Sequence, residues 1–294
     1  MAELLNRQVD AHVRHLVAGS GYVMGEFSCP PDSDRWNELN WSGERPLVVI
    51  GAVGKTAVRI SVDGTSYVST ANEALIYDAD VEYRRQLVSD GGDSAIFLAL
   101  DPSLYGESGH AANPSRRPAI RQRRCDPQTF ALGQSILAEL RRSVPDLLAV
   151  DEWTLTIVDR LAQPARPELG AGYRARTTHH AAINEVKTML AGEADRRWTL
   201  NELGAAAHYS PYFLSRLFRR LTGSTIAAYR RQLRLCESLD ALGPGADLSA
   251  IAAEFGFSSH SHYTREFHAA FGCTPSQARA TGLPQATLPT QRRR

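Results

Sequence analysis

Residues 215–225, SRLFRRLTGST, and residues 264–274, TREFHAAFGCT, write one pattern twice. Arg216/Arg265, Phe218/Phe267, Gly223/Gly272 and Thr225/Thr274 recur at a constant offset of 49, and Ser215 is matched by Thr264. Whatever unit the first stretch builds, the second must build again. Its punctuation identifies that unit. Thr199 with Glu202 spells a capping box. Ser210 is an N-cap with Pro211 at the first helical position, where the missing N–H costs nothing. Gly223 supplies a left-handed stop. Two short helices separated only by the turn around His208-Tyr209 give the outline of a helix-turn-helix.

The second copy uses the same devices. Asp247 caps a helix carrying Leu248, Ile251 and Phe255, Gly256 supplies the turn, and Ser258 or Ser259 caps the next helix. The offset is 48 before this turn and 49 after it, so one residue is inserted where insertion is cheapest. In the first motif Leu214, Leu217, Phe218 and Leu221 form an apolar stripe, while Tyr212, Ser215, Arg216 and Arg219 form another at helical spacing. In the second, Tyr263, Phe267, Ala270 and Phe271 face inward, and Ser261, Thr264, Arg265 and His268 face out. Between the copies, Thr225 to Leu242 reads as a linker helix; about 17 residues at ~1.5 Å each span roughly 26 Å. Successive major grooves on one face of a duplex lie ~34 Å apart, so such a rod lets two reading helices dock together if the DNA bends.

Charge supports a polyanionic partner for this half. Residues 1–170 carry 17 Lys+Arg against 23 Asp+Glu, a net of −6, and residues 171–294 carry 16 against 9, a net of +7. Double-stranded DNA is the leading candidate. The longest apolar run, near LVVI at 47–50, is far below the ~20 residues that span a bilayer, so no membrane partner is expected. The opening MAELLNRQVDAHVRHL lacks a basic start followed by an apolar stretch, so a cytoplasmic protein is expected. Cys29, Cys125, Cys236 and Cys273 form no C-x-x-C pair and read as reduced apolar fillers.

The front half has the other period. GYVMGEF, PLVVIGAV, AVRISV, SYVST, ALIYDA, YRRQLV and SAIFLAL are short β-rich runs between turn signals, seven or so strands of an antiparallel sandwich or small barrel. Asp101 to Asp126 reads as loop. Helices are expected over Pro127–Arg142 and Pro145–Leu161, the second with Leu147, Leu148, Val150, Trp153, Leu155, Ile157 and Leu161 as apolar faces. The Pro- and Gly-bearing stretch 163–176 is the expected connector between a front domain, 1–162, and a helical domain, 177–281, with a disordered tail at 282–294.

LNELGAAAHYSPYFLSRLFRRLTGSTIAAYRRQLRL followed by LSAIAAEFGFSSHSHYTREFHAAFGCTPSQAR resembles the paired helix-turn-helix domain of AraC-family transcriptional regulators. The I-x-x-x-F-G-F turn, the R-x-F pairs and the closing G-x-T-P occur in order, over about a third of the chain. The resemblance implies an α+β protein of two domains: a cupin-like antiparallel β-barrel with a helical hairpin, then an all-α domain with two helix-turn-helix motifs on a linker helix. It places the base-reading face on Tyr212, Ser215 and Arg216 in the first motif and on His260, Ser261, Thr264 and Arg265 in the second. Arg234 matches the family's linker-helix arginine; Ser238, where Ala is usual, and Gln277-Ala278-Arg279, where an aromatic often precedes the Arg, depart from the pattern. It further implies an effector-responsive activator that acts as a homodimer, with RNA polymerase and an unidentified small molecule as partners.

Other residues have blander and sharper readings. Arg219, Arg220, Arg230 and Arg231 are phosphate contacts or solvated charge. Arg116 to Arg124, with five arginines, is a solvated loop or a second phosphate contact. Trp41, Arg59, Tyr67, Tyr77 and Tyr83, with Trp36, line an effector pocket or belong to the barrel core. The rival reading is a metal-dependent cupin enzyme or sensor, but no histidine occurs between His15 and His110, so no metal, no cofactor and no catalysis are expected. The H-x-H of His260 and His262 lacks further ligands at zinc spacing. A repair protein with a reactive thiol would need clustered N-terminal cysteines, and only Cys29 stands there. A sequence-indifferent architectural binder would protect random DNA equally.

Overall fold

In Leu47–Gly51 the side chains of Val48 and Ile50 enter one core while Leu47 and Val49 enter another, and Ala74 and Ile76 against Leu75 and Tyr77 do the same in Glu73–Tyr77. A strand sends successive residues to opposite faces, so a sheet buried on both sides must be the middle layer of three. The computed structural model, which describes residues 12–51, 57–88, 91–102, 104, 119–162, 177–281 and 283, has that arrangement.

Among the described residues ten strands form two sheets. They are β1 (Val13–Gly19), β2 (Tyr22–Cys29), β3 (Leu39–Trp41), β4 (Leu47–Gly51), β5 (Ala57–Val62), β6 (Thr65–Thr70), β7 (Glu73–Tyr77), β8 (Glu82–Leu87), β9 (Asp93–Leu100) and β10 (Ile120–Arg124). The middle sheet runs β1-β2-β9-β4-β7-β10 and the outer sheet β3-β8-β5-β6, with every described pairing antiparallel. Val58, Ile60 and Val62 meet Leu75, Tyr77 and Ile120 between the sheets. On the other face, Ile96, Leu98 and Ile50 meet Phe130, Ile136 and Ile157 of two helices, α1 (Pro127–Leu140) and α2 (Leu147–Ala162).

All seven β-rich runs seen in the sequence are strands. The segment expected as loop, Asp101 to Asp126, instead contributes β10, which pairs with β7 in register Ile120↔Tyr77 to Arg124↔Glu73. IRQRR has a single apolar residue, and the ladder to β7 decides its conformation, not its own periodicity. Helix α2 buries Val150, Trp153, Ile157 and Leu161 but leaves Leu147, Leu148 and Leu155 exposed, so its apolar face is narrower than expected. The expected connector, 163–176, lies outside the described residues, as do Arg116, Arg117 and almost all of 282–294.

Among the described residues seven further helices follow: α3 (Thr177–Gly192), α4 (Leu200–Ala206), α5 (Pro211–Thr222), α6 (Ile226–Asp240), α7 (Leu248–Glu254), α8 (His260–Phe271) and α9 (Pro275–Thr281). Helix α3 lies along β6, the edge of the outer sheet. Unpaired edge groups need partners, and Asn184 supplies them: its Oδ1 accepts from the Val68 N–H at 3.1 Å and its Nδ2 donates to the Ser66 carbonyl at 2.8 Å. Beside it, Glu73 accepts from Lys187 Nζ at 2.7 Å, from Thr70 Oγ1 at 2.8 Å and from the Tyr229 hydroxyl at 3.0 Å, all buried. Asn72 Nδ2 donates to the Tyr229 carbonyl at 2.8 Å and Gln232 Nε2 to the Cys125 carbonyl at 2.6 Å. The sheets and the helical half therefore meet through a buried polar cluster centred on one carboxylate.

Candidate nucleic-acid interface

The first motif is built by local signals. Thr199 Oγ1 accepts from the Glu202 N–H at 3.2 Å while Glu202 Oε2 accepts from the Thr199 N–H at 2.8 Å, the reciprocal capping box that starts α4. His208 turns the chain at φ 55. Gly204 is required in α4 because a Cβ there would stand 2.7 Å from the Tyr209 carbonyl oxygen of the turn. Ser210 caps α5, accepting from the Phe213 N–H at 3.3 Å, and Gly223 at φ 71 ends it. Leu214, Leu217 and Phe218 are buried, so the opposite face is left to Tyr212, 73% exposed, with Arg216, Arg219 and Arg220 also exposed and Ser215 half-buried. The Arg216 guanidinium lies 5.6 Å from the Tyr212 ring centroid, and the two side chains share one patch. Phe213, 41% exposed and 4.8 Å from the Tyr209 ring, extends this patch; a residue between the two stripes carries no periodic signal, so the sequence did not single it out.

The second motif has the same parts with one residue more in its turn, 255–259 against 207–210. Ser259 is the cap, accepting from the His262 N–H at 3.1 Å. Tyr263, Phe267 and Phe271 are buried, and Gly272 at φ 76 ends α8. His260, Ser261, Thr264 and Arg265 come together with His268 and Thr274 around one open concavity of about 410 Å³. Thr274 is the addition: it caps α9, with Gln277 Oε1 accepting from its N–H at 2.9 Å, and so belongs to this surface by tertiary placement.

His262 does not pair with His260. Its ring rests 5.7 Å from Phe257, and its Nδ1 stands 2.9 Å from Ser258 Oγ and its Nε2 3.6 Å from Glu266 Oε1, so it packs the start of the helix. Among the described residues no three His, Cys, Asp or Glu side chains are grouped as metal ligands. Of the four arginines expected at phosphates, Arg219 and Arg220 are on the exposed face. Arg230 donates to the Arg196 carbonyl at 3.0 Å and Arg231 pairs with Glu266 at 3.3 Å, so each has a protein partner.

The linker helix α6 holds both motifs. Leu233 and Cys236 enter the first core, and Leu235 enters the second. Ser238 has a use here: its hydroxyl accepts from the buried Tyr263 hydroxyl of α8 at 3.1 Å and donates to the Leu235 carbonyl at 2.8 Å. Burial pushes the Tyr263 phenol up to about 12, so it donates at neutral pH.

The aromatic residues of the β-rich half do not converge on one cavity. Tyr77 and Tyr83 stack at 4.8 Å between the sheets, with Tyr67 and Trp36 against the same cluster, and burial raises both stacked phenols. Arg59 alternates with Val58 and Ile60 and lies on the other face of its sheet. Trp41 borders a separate open depression with Asp63, Asp80 and Glu82. Beside Trp36, Arg85 pairs with Asp93 at 3.1 Å and stacks 4.3 Å from the Phe27 ring; burial raises the Asp93 carboxyl, and Arg85 opposes that shift. No described helix is long and apolar enough to cross a membrane.

A helix-turn-helix domain family matches residues 203–281. The TetD protein of transposon Tn10 from Escherichia coli is 30% identical over 112 residues, 38% of this chain and 81% of TetD. Transcriptional regulator Rob of Salmonella typhimurium is 36% identical over 95 residues, 32% of this chain and 33% of Rob, so the chain spans only a third of that relative. The crystal structure of ToxT from Vibrio cholerae aligns over 90% of this chain and 99% of its own, with 11% identity and a TM-score of 0.34.

Proposed function

The chain belongs to the AraC family of transcriptional regulators, and on that premise we propose that it is a sequence-specific DNA-binding regulator whose helices α5 and α8 enter two adjacent major grooves of one duplex. One observation carries this reading. Two helices built to the same plan each bury one stripe and expose a polar stripe with an arginine at the matched place, and a single rigid helix bears both. Arg216 and Arg265 read guanine edges bidentately, each worth about 1–3 kcal/mol of discrimination, while Tyr212, Ser215, His260, Ser261 and Thr264 complete the two surfaces. Arg219 and Arg220 position the duplex through phosphates, with Arg230 and Arg231 at its edge.

The β-rich half, residues 1–162, senses an effector and activates transcription through RNA polymerase. The polar cluster supports this coupling, since Tyr229 and Gln232 of the linker helix bond directly to Glu73 and to the Cys125 carbonyl of the sheets. The homodimer forms through α2, whose Leu148 and Leu155 stand exposed two turns apart on one stripe. Binding-site selection on random duplexes tests the central claim: the full chain enriches a two-part motif, and Arg216→Ala or Arg265→Ala relaxes one part each. Protection of random DNA equal to that of the selected site refutes it.

A further inference from the structure

We propose that Arg234 sets the register between the two reading helices, acting as a positioning residue that makes the protein sensitive to the spacing of its two half-sites. The inference rests on the two-groove reading above. Arg234 lies in the middle of α6 and is 8% exposed. All three guanidinium nitrogens donate to backbone carbonyls: Nε to Ala194 at 2.6 Å, Nη2 to Asp195 at 2.7 Å and Nη1 to Gly256 at 3.0 Å. Ala194 and Asp195 lie between the end of α3 and the start of the first motif, and Gly256 is the turn of the second. One planar fork, anchored on the linker, thus ties the segment that leads into the first motif to the turn of the second.

The charge is stable there because both sets of carbonyls lie just past the C-terminal ends of helices, α3 and α7, where peptide dipoles are negative. Burial and the neighbouring Arg230 lower the guanidinium to about 10, which leaves it charged at neutral pH. A difference between the two copies has its cause in this contact. His208 and Gly256 occupy matched turn positions and both are left-handed, at φ 55 and φ 69. The first turn therefore accepts a side chain. The second cannot, because a Cβ on Gly256 would stand 2.8 Å from Arg234 Nη2 and 2.9 Å from the Asp195 carbonyl oxygen. The glycine makes room for the clamp.

A fixed spacing between two heads matters because one added base pair moves the far groove by about 3.4 Å and rotates it by about 35°. A rigid pair of heads then loses the contacts of one of them. Arg234→Lys keeps the charge, but one ammonium cannot span the carbonyls of Ala194, Asp195 and Gly256 together.

The test uses the full chain and duplexes carrying the selected site, with the spacer between half-sites unchanged, shortened or lengthened by one base pair. The natural protein is expected to lose about tenfold or more in affinity at either altered spacing. Arg234→Lys is expected to lose less than about threefold there while keeping its base preference inside each half-site. Gly256→Ala, which displaces the fork without removing it, is expected to flatten the spacing profile likewise and carries the test if Arg234→Lys does not melt cooperatively. Spin labels at Arg219→Cys and Ala269→Cys give a DNA-free readout, since the four natural cysteines are buried: the distance distribution broadens in Arg234→Lys. A spacing profile parallel to the natural protein's, even with weaker binding overall, or an unchanged distance distribution, overturns the proposal. If the natural protein ignores the second half-site altogether, the two-groove reading itself has failed.

Discussion

Replacing Tyr229 by Phe removes one oxygen from the buried cluster that joins the sheets to the linker helix, and its effect can be worked from the geometry. The phenol donates to the Glu73 carboxylate, 3.0 Å from each oxygen, and stands 2.7 Å from Thr70 Oγ1. Burial holds that phenol far above its usual range, so it is a neutral donor at any physiological pH. The ring itself stays packed edge-on against Phe218 at 5.3 Å. A hydrogen bond to a charged group contributes about 1.5–3 kcal/mol, so the docked arrangement weakens by about 10- to 150-fold relative to an opened one. Amide exchange at Val68 reads this directly, because that N–H is held across the interface by Asn184 and is released when the two halves part. Exchange at Val68 should accelerate by that factor in Tyr229→Phe, while Ile96 in the middle of the inner sheet keeps its rate. Equal acceleration at both amides would mean global destabilisation, and no acceleration at Val68 would mean that the hydroxyl holds nothing; either result refutes the reasoning.

Other expectations follow from the same structure. Lys187→Met leaves the Glu73 carboxylate buried without its 2.7 Å partner and should lower the unfolding free energy by about 3–5 kcal/mol, read in denaturant melts. Arg219→Ala should weaken DNA binding evenly across sequences and reduce the slope of log K against log salt by about 0.9, whereas Arg216→Ala should change base preference at one position by about 1–3 kcal/mol. Thr199→Ala removes the capping box of α4 and should cost about 1 kcal/mol in thermal stability with site preference unchanged.

The two helix-turn-helix units and their outward stripes were legible from the residues because their punctuation is local. Caps at Thr199, Ser210 and Ser259, stops at Gly223 and Gly272, and the inserted residue of the second turn all operate within about four residues of chain, and each stands where the repeat put it. Strands β1, β3 and β10 escaped: β3 and β10 take their conformation from neighbours far along the chain, and β1 from its pairing with β2. Of the expected effector residues Tyr67, Tyr77 and Tyr83 join one cluster between the sheets, whereas strand alternation, which a loose aromatic count ignores, sends Arg59 to the other face.

What residue order by itself determined was the duplicated unit, its two apolar stripes and its two outward arginines, since helix period and capping act over a few residues. What only the tertiary structure decided was everything joining distant segments: Glu73 with Lys187 and Tyr229, Asn184 on the β6 edge, and Arg234 between two turns. Buried polar groups take whatever partner the packed chain delivers, and no periodicity in the sequence encodes a partner that lies far along the chain.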